Sequence, residues 1–325
     1  MNYLIKNRQQ WAEYDSEQQF LLPLLKDLLK HRPLNADDLF ANHNTLAKVK
    51  TGASEVLFPL TISAVGAGGK TSLLLHLAKE SLAQGKSTLV TTTTHMFLPE
   101  NGLTVSLPCN QTTYAESSPA RENTAGFPGA SAFSEAEAAP FSPEITWLGL
   151  PVEPKIREGN WIKCHAPSPE TLETCRQNHE ITLIEADGSR RLPIKVPGKQ
   201  EPVIPDFTHI ILVVYGLSAL GQPLRQVCQR WELLNSTDLD SAVLNSAAPC
   251  DFSCGEAAVT PRFLGTLMKE YYIKPLSRKY PKACILPVWN QADTFRMIQA
   301  AKEAAHWCGC DFQLITHFSS DRNYF

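Results

Sequence analysis

No stretch of this 325-residue chain is apolar for long enough to cross a bilayer; the longest run, around Ile210 to Tyr215, falls far short of the roughly 20 residues a spanning helix needs. The N-terminus, MNYLIKNRQQ, lacks the apolar centre of a secretion signal. Also missing is any block rich in Lys and Arg. With 30 basic and 33 acidic side chains the formal net charge is -3, which gives no electrostatic footprint for nucleic acid. The nine cysteines are an odd number without a secretion signal, and none stands in a CxxC pair, so neither a disulfide framework nor a zinc site is indicated. These absences predict a soluble, cytoplasmic protein with reduced thiols, and neither a membrane nor a nucleic-acid partner.

What is present is organised around VLFPLTISAVGAGGKTSLLLHLAKESLAQGKSTLVTTTT, Val56 to Thr94. An apolar run enters the turn Gly66-Ala67-Gly68-Gly69, then Lys70, Thr71 and Ser72, and then Leu74, Leu77 and Ala78 at helical spacing. The pattern reads as strand, phosphate loop and helix. Glycines allow backbone N–H groups to turn inward, the helix start adds partial positive charge, and Lys70 adds a full one. Thr71 is placed to offer its hydroxyl to Mg²⁺ on a nucleotide. Ala64 stands where GxxxxGK(S/T) has its first glycine, so this is a deviant Walker A; the alternative is a plain strand-to-helix turn.

Residues 1–55 read as a helical extension, with Phe20, Leu21, Leu24, Leu25 and Leu28 on one side of a helix over Ser16 to His31, and a second short helix after Asn35. After the loop, a helix to Gln84 and a strand over Ser87 to Thr94 complete a βαβ unit with parallel strands. The strand's exit puts Thr92 to Thr94 and His95 where open α/β sheets bind ligands. Residues 110–143 are rich in Ala, Ser, Glu, Pro and Gly and read as a mobile insertion. Ser168-Pro169-Glu170 opens a helix to about Asn178.

The second informative stretch is ITLIEADGSRR, Ile181 to Arg191. Side chains alternate along a strand, so Glu185 and Asp187 point the same way at its exit. The placement is Walker B-like, one acid for Mg²⁺ and the other for an attacking nucleophile or water; the alternative is a surface Asp-Gly turn. Arg190, Arg191 and Lys195 follow as possible phosphate neutralisers, and Arg225 and Arg230 as candidate transition-state arginines. A strand over Cys284 to Val288 then leads into Asn290-Gln291-Ala292-Asp293. NQAD at a strand end resembles the NKxD element that reads guanine, with a turn and N-cap as the alternative. Cys308 and Cys310 are read either as a metal or chalcogen site or as small buried residues at a helix end.

Together VGAGGKTS, LVTTTTHM, LIEADGSRRLPIKVPGKQEPVIPD, VYGLSALGQPL and VWNQAD resemble the YqeC family, accessory proteins of selenium-dependent molybdenum hydroxylases. The resemblance implies a P-loop α/β fold and a role in selenium cofactor biosynthesis or its insertion into a molybdenum hydroxylase. It carries over Gly66 to Thr71 as the nucleotide loop and Glu185 to Gly188 as the acidic strand end. The expected fold is therefore a three-layer, P-loop NTPase-like α/β domain over 56–325, with a mostly parallel sheet and the helical extension before it. The expected activity is hydrolysis of GTP, slightly favoured, or ATP with Mg²⁺. Lys70, Glu185 and Asp187 are its catalytic residues. Gly66 to Ser72, Asn290 and Asp293 form the nucleotide site, and Thr71 and Asp187 hold the metal. A small-molecule kinase or other phosphoryl transferase, and a nucleotide-dependent chaperone that does not hydrolyse, are the alternatives.

Overall fold

The computed structural model describes residues 2–7, 10–14, 21–30, 59–104, 144–234 and 255–317. The proposed helix after Asn35, the proposed insertion at 110–143 and Cys250 with Cys254 lie outside the described residues. The chain opens with strands β1 (Asn2–Asn7) and β2 (Gln10–Tyr14), then helix α1 (Leu21–Lys30). Next come β3 (Leu60–Gly66), α2 (Lys70–Ala83), β4 (Thr88–Thr92), β5 (His95–Pro99) and β6 (Leu103–Thr104). Strands β7 (Ile145–Leu148), β8 (Leu150–Pro151), β9 (Arg157–Glu158) and β10 (Trp161–His165) precede α3 (Pro169–Gln177) and β11 (Ile181–Glu185). There follow β12 (Ile194–Lys195), β13 (Ile210–Gly216), α4 (Leu224–Val227) and β14 (Cys228–Gln229). The last elements are α5 (Pro261–Met268), a π-helical turn (Lys269–Ile273), α6 (Lys274–Lys279), β15 (Cys284–Asn290), α7 (Phe295–Cys308) and β16 (Phe312–His317).

Ten strands form one sheet in the order β2-β1-β16-β15-β13-β3-β11-β4-β7-β6. All neighbours from β16 to β6 run parallel, and β1 and β2 add an antiparallel hairpin at one edge. The central strands are apolar on both faces because helices cover both. From β13, Leu212 and Val214 join Leu21, Leu22 and Leu25 of α1 and Leu73, Leu74 and Leu77 of α2 in one core. Ile211, Val213 and Tyr215 face the other way, into a core with Phe263 and Leu264 of α5 and Ala301 and Ala304 of α7. The result is a three-layer α/β arrangement. A small antiparallel sheet, β5-β10-β8, sits off the main one.

The N-terminal helical extension needs correction. Residues 2–7 and 10–14 are strands, and the helix seen among the described residues here is Leu21–Lys30. β1 pairs with β16, Asn2 opposite His317 and Asn7 opposite Phe312, so the chain's first strand caps a sheet edge exposed by one of its last. The leucine stripe drew the helical reading across residues whose conformation is set by that distant edge. Pro23 is tolerated in α1 because it falls in the first turn, where N–H groups have no intrahelical acceptor. Elsewhere boundaries shift modestly: β15 runs on to Asn290, and α7 starts after the N-cap Thr294.

Candidate functional site

The exit of β3 and the start of α2 are joined by a turn with no room for a side chain at its glycines. Gly68 and Gly69 have φ of +80° and +114°. A Cβ on Gly68 would lie 2.3 Å from the backbone nitrogen of Gly216, and one on Gly69 would lie 2.1 Å from Asn290 Nδ2. Gly69 is the N-cap of α2 and offers no side-chain cap, so the first N–H groups of the helix stay free of side-chain acceptors. That leaves a concentration of donors at the positive end of a helix.

Strand β11 is the immediate neighbour of β3, with Glu185 opposite Ala64. The pairing brings both acids against the glycine turn. Thr71 Oγ1 donates to Glu185 Oε2 at 2.6 Å. Asp187 is fully buried, and its Oδ2 accepts from the Gly66 N–H at 2.9 Å and from the Tyr272 hydroxyl at 3.1 Å. Lys70 donates to the Gly66 carbonyl at 2.7 Å, and its Nζ lies 3.2 Å from Asp187 Oδ1 and 3.8 Å from Glu185 Oε1. The contact with Oδ1 is an ion pair without hydrogen-bond alignment, which leaves that oxygen buried and unbonded. Burial pushes the Glu185 carboxyl above its usual range, against the opposing pull of Lys70 and Thr71.

Lys195 is not a surface cation. It is fully buried, 3.3 Å from Asp187 Oδ2 and 2.7 Å from Glu201 Oε2, and it also donates to the Gly188 carbonyl. Arg230, in a left-handed conformation, grips Glu201 through two hydrogen bonds. Burial works to raise the Glu201 carboxyl, but the bonds from Lys195 and Arg230 outweigh it and hold it below its usual range. A chain of alternating charge thus runs Lys70, Asp187, Lys195, Glu201, Arg230. Tyr272 reaches it from the π-helical turn, an irregularity frequent at functional sites. Sequence reasoning missed Tyr272, for which there was no local signal, and Glu201, which stood in the EPVIP block quoted above.

The other expected residues divide. Thr92 Oγ1 donates to the Glu185 carbonyl at 2.8 Å and Thr93 Oγ1 to the Val203 carbonyl, so the threonines at the exit of β4 brace the acidic strand's exit. His95 lies against His165, the rings tilted with centroids 4.5 Å apart, and its burial and that neighbour lower its pKa. Arg225 pairs with Glu256 at 2.6 Å, and Arg191 pairs with Glu158 and lies over the Phe97 ring. Asn290 is buried; its Nδ2 donates to the Gly68 carbonyl at 2.8 Å and its Oδ1 accepts from Thr316 at 2.6 Å. Asp293 is exposed in the loop that follows. No group of three or more His, Cys, Asp or Glu with the arrangement of a metal site occurs among the described residues, where no helix is long and apolar enough to cross a membrane either.

A family model described as YqeC protein matches residues 62–232, which include the glycine turn, both acids, Lys195, Glu201 and Arg230. Among curated proteins, the uncharacterized protein YqeC of Escherichia coli (strain K12) is 37% identical over 165 residues, 50% of this chain and 54% of that protein. The chain thus spans about half the length of the curated relative it matches. No solved structure matches. Since the family match takes in more than half of the 325 residues, the chain belongs to the YqeC family.

Proposed function

We propose that the chain binds a nucleoside triphosphate on the turn Gly66 to Ser72 and hydrolyses it. The observation that carries this reading is the convergence of a helix start without a side-chain cap, the Lys70 ammonium, the Thr71 hydroxyl and two carboxylates within hydrogen-bond or ion-pair reach of one another. Phosphoryl transfer asks a protein for positioning and charge stabilisation, and this set supplies both. The free N–H groups of the turn and Lys70 hold the terminal phosphates. Glu185, its carboxyl raised by burial, is the base that orients water.

The Thr71 hydroxyl and the unbonded Asp187 Oδ1 are hard oxygen donors of the kind Mg²⁺ prefers, so the residues fit the metal, and these two would hold it. An Mg²⁺ held by these two residues would supply charge neutralisation at the phosphates. Lys70 is the cation that faces Oδ1 in the present arrangement. Asn290 ties the NQAD loop to the phosphate turn, which supports Asp293 as the reader of the base and GTP as the preferred nucleotide. By family resemblance, the energy of hydrolysis serves selenium cofactor biosynthesis or its insertion into a molybdenum hydroxylase.

Calorimetric titration of the full chain with GTP and with ATP, each with and without Mg²⁺, tests the reading together with phosphate release. Binding that Lys70→Ala abolishes and whose Mg²⁺ dependence Thr71→Ala removes is the expected result. Absence of binding by either nucleotide at millimolar concentration overturns it. Turnover that requires a small-molecule acceptor would replace hydrolysis by a kinase reaction, and tight binding without phosphate release by a chaperone. The cellular role fails if a strain lacking the protein keeps the full selenium content of its molybdenum hydroxylase.

A further inference from the structure

At the far end of α7, away from the matched family residues, Cys308 and Cys310 place their sulfurs 3.8 Å apart with a hydrogen bond between them. Cys308 is the last residue of α7 and is buried against the core; Gly309 follows with φ +76°, and Cys310 is half-buried. The backbone of Cys310 is held from two sides, its carbonyl accepting from Lys6 at 3.2 Å and from Gln313 at 2.9 Å. Lys269 reaches the same corner, its Nζ 3.8 Å from where a Gly309 Cβ would be. Two amines therefore bracket the thiol pair, Lys6 from β1 and Lys269 from the π-helical turn, and the Asp311 carboxylate acts against them.

We propose that Cys308 and Cys310 form a thiol–disulfide exchange site that reacts with a low-molecular-weight disulfide, Cys310 attacking and Cys308 resolving. The Cys310 thiolate attacks one sulfur of the disulfide, forming a mixed disulfide and expelling one thiolate. Cys308 then attacks Cys310 Sγ, forming the intramolecular disulfide and expelling the second thiolate. The protein dithiol loses two electrons, the small disulfide gains them, and the two thiol protons pass to the departing thiolates. The sulfurs must close from 3.8 Å to about 2.05 Å, a short movement between residues separated by a glycine.

The two thiols are unequal in the required sense. The Cys308 bond, with help from Lys6 and Lys269, lowers the Cys310 pKa, while the same bond and burial raise that of Cys308. Burial pushes Cys164 up to about 11 and Cys228 up to about 12, so those thiols are poor competitors.

The test treats the reduced full-length protein at neutral pH with a chromogenic aromatic disulfide and maps the products by peptide mass spectrometry. The wild type should release about two equivalents of coloured thiol from this site and yield the Cys308–Cys310 disulfide. Cys308→Ser and Cys308→Ala should each stop at a mixed disulfide on Cys310 with about one equivalent released. Cys310→Ser should abolish the fast phase. A mixed disulfide that persists on wild-type Cys310, or modification there no faster than at Cys164 and Cys228, overturns the proposal. Circular dichroism of each variant separates lost chemistry from lost fold.

Discussion

Strands β11 and β15 both lead into acids at the same C-terminal end of the parallel sheet, yet those acids meet opposite conditions. At the exit of β11, Asp187 is wholly buried and Glu185 nearly so, and every charge faces an opposite one: Lys70 and Lys195 against Asp187, Lys195 and Arg230 against Glu201. At the exit of β15, the buried residue is the neutral Asn290, spent on the Gly68 carbonyl and Thr316, while Asp293 stands in solvent. The first exit is part of the protein's interior and pays for its charge through pairing; the second exposes a carboxylate at little cost. Position at a strand end therefore does not say whether an acid holds the protein together or is free to meet a ligand.

Substitutions at the two exits should separate these conditions, the largest effect falling at β11. Asp187→Ala leaves Lys70 and Lys195 without their shared buried partner and should destabilise the protein by about 3–5 kcal/mol in urea unfolding. A loss under about 1 kcal/mol would mean that the cluster is not the interior element described. Gly68→Ala comes next, since its Cβ meets backbone rather than a flexible side chain and its φ is positive; a loss of about 2–4 kcal/mol is expected, with nucleotide binding gone as well.

Asn290→Ala should cost about 1–3 kcal/mol by orphaning the Gly68 carbonyl and the Thr316 hydroxyl, an intermediate value because no charge is involved. Asp293→Asn should leave stability within about 0.5 kcal/mol and instead move nucleotide preference from guanine toward xanthine. Unchanged base preference would remove Asp293 from the proposed nucleotide site while leaving the role proposed for the glycine turn untouched.

The β11 side also carries a pH signature. Glu201 is held below the ordinary carboxylate range, so its contribution to stability is complete above that range and is lost as pH falls through the lowered value. Glu185 is raised and contributes with the opposite sign: its share is present below the ordinary value and is lost as pH rises through the raised one. The melting-temperature gap between wild type and Glu201→Gln should therefore narrow in acid. A gap that widens there would contradict the pairing with Lys195 and Arg230.

The sequence alone was enough to place β3, α2 and β11, because their signals are local: an apolar run, a glycine turn, a helical repeat, then a second apolar run ending in acids at alternate positions. It was enough as well to mark Glu185 and Asp187 as sharing a side, which follows from the pleat. Only the tertiary structure decided that β1 and β2 extend the sheet, since their pairing partner is β16 at the other end of the chain. The same holds for Lys195, whose basic side chain reads as solvent-facing until Glu201 and Asp187 close around it, and for Asn290, whose acceptor lies 222 residues away. Turns, periods and caps are settled by neighbours in sequence, whereas the burial of a charge depends on which distant partners the packed layers bring to it.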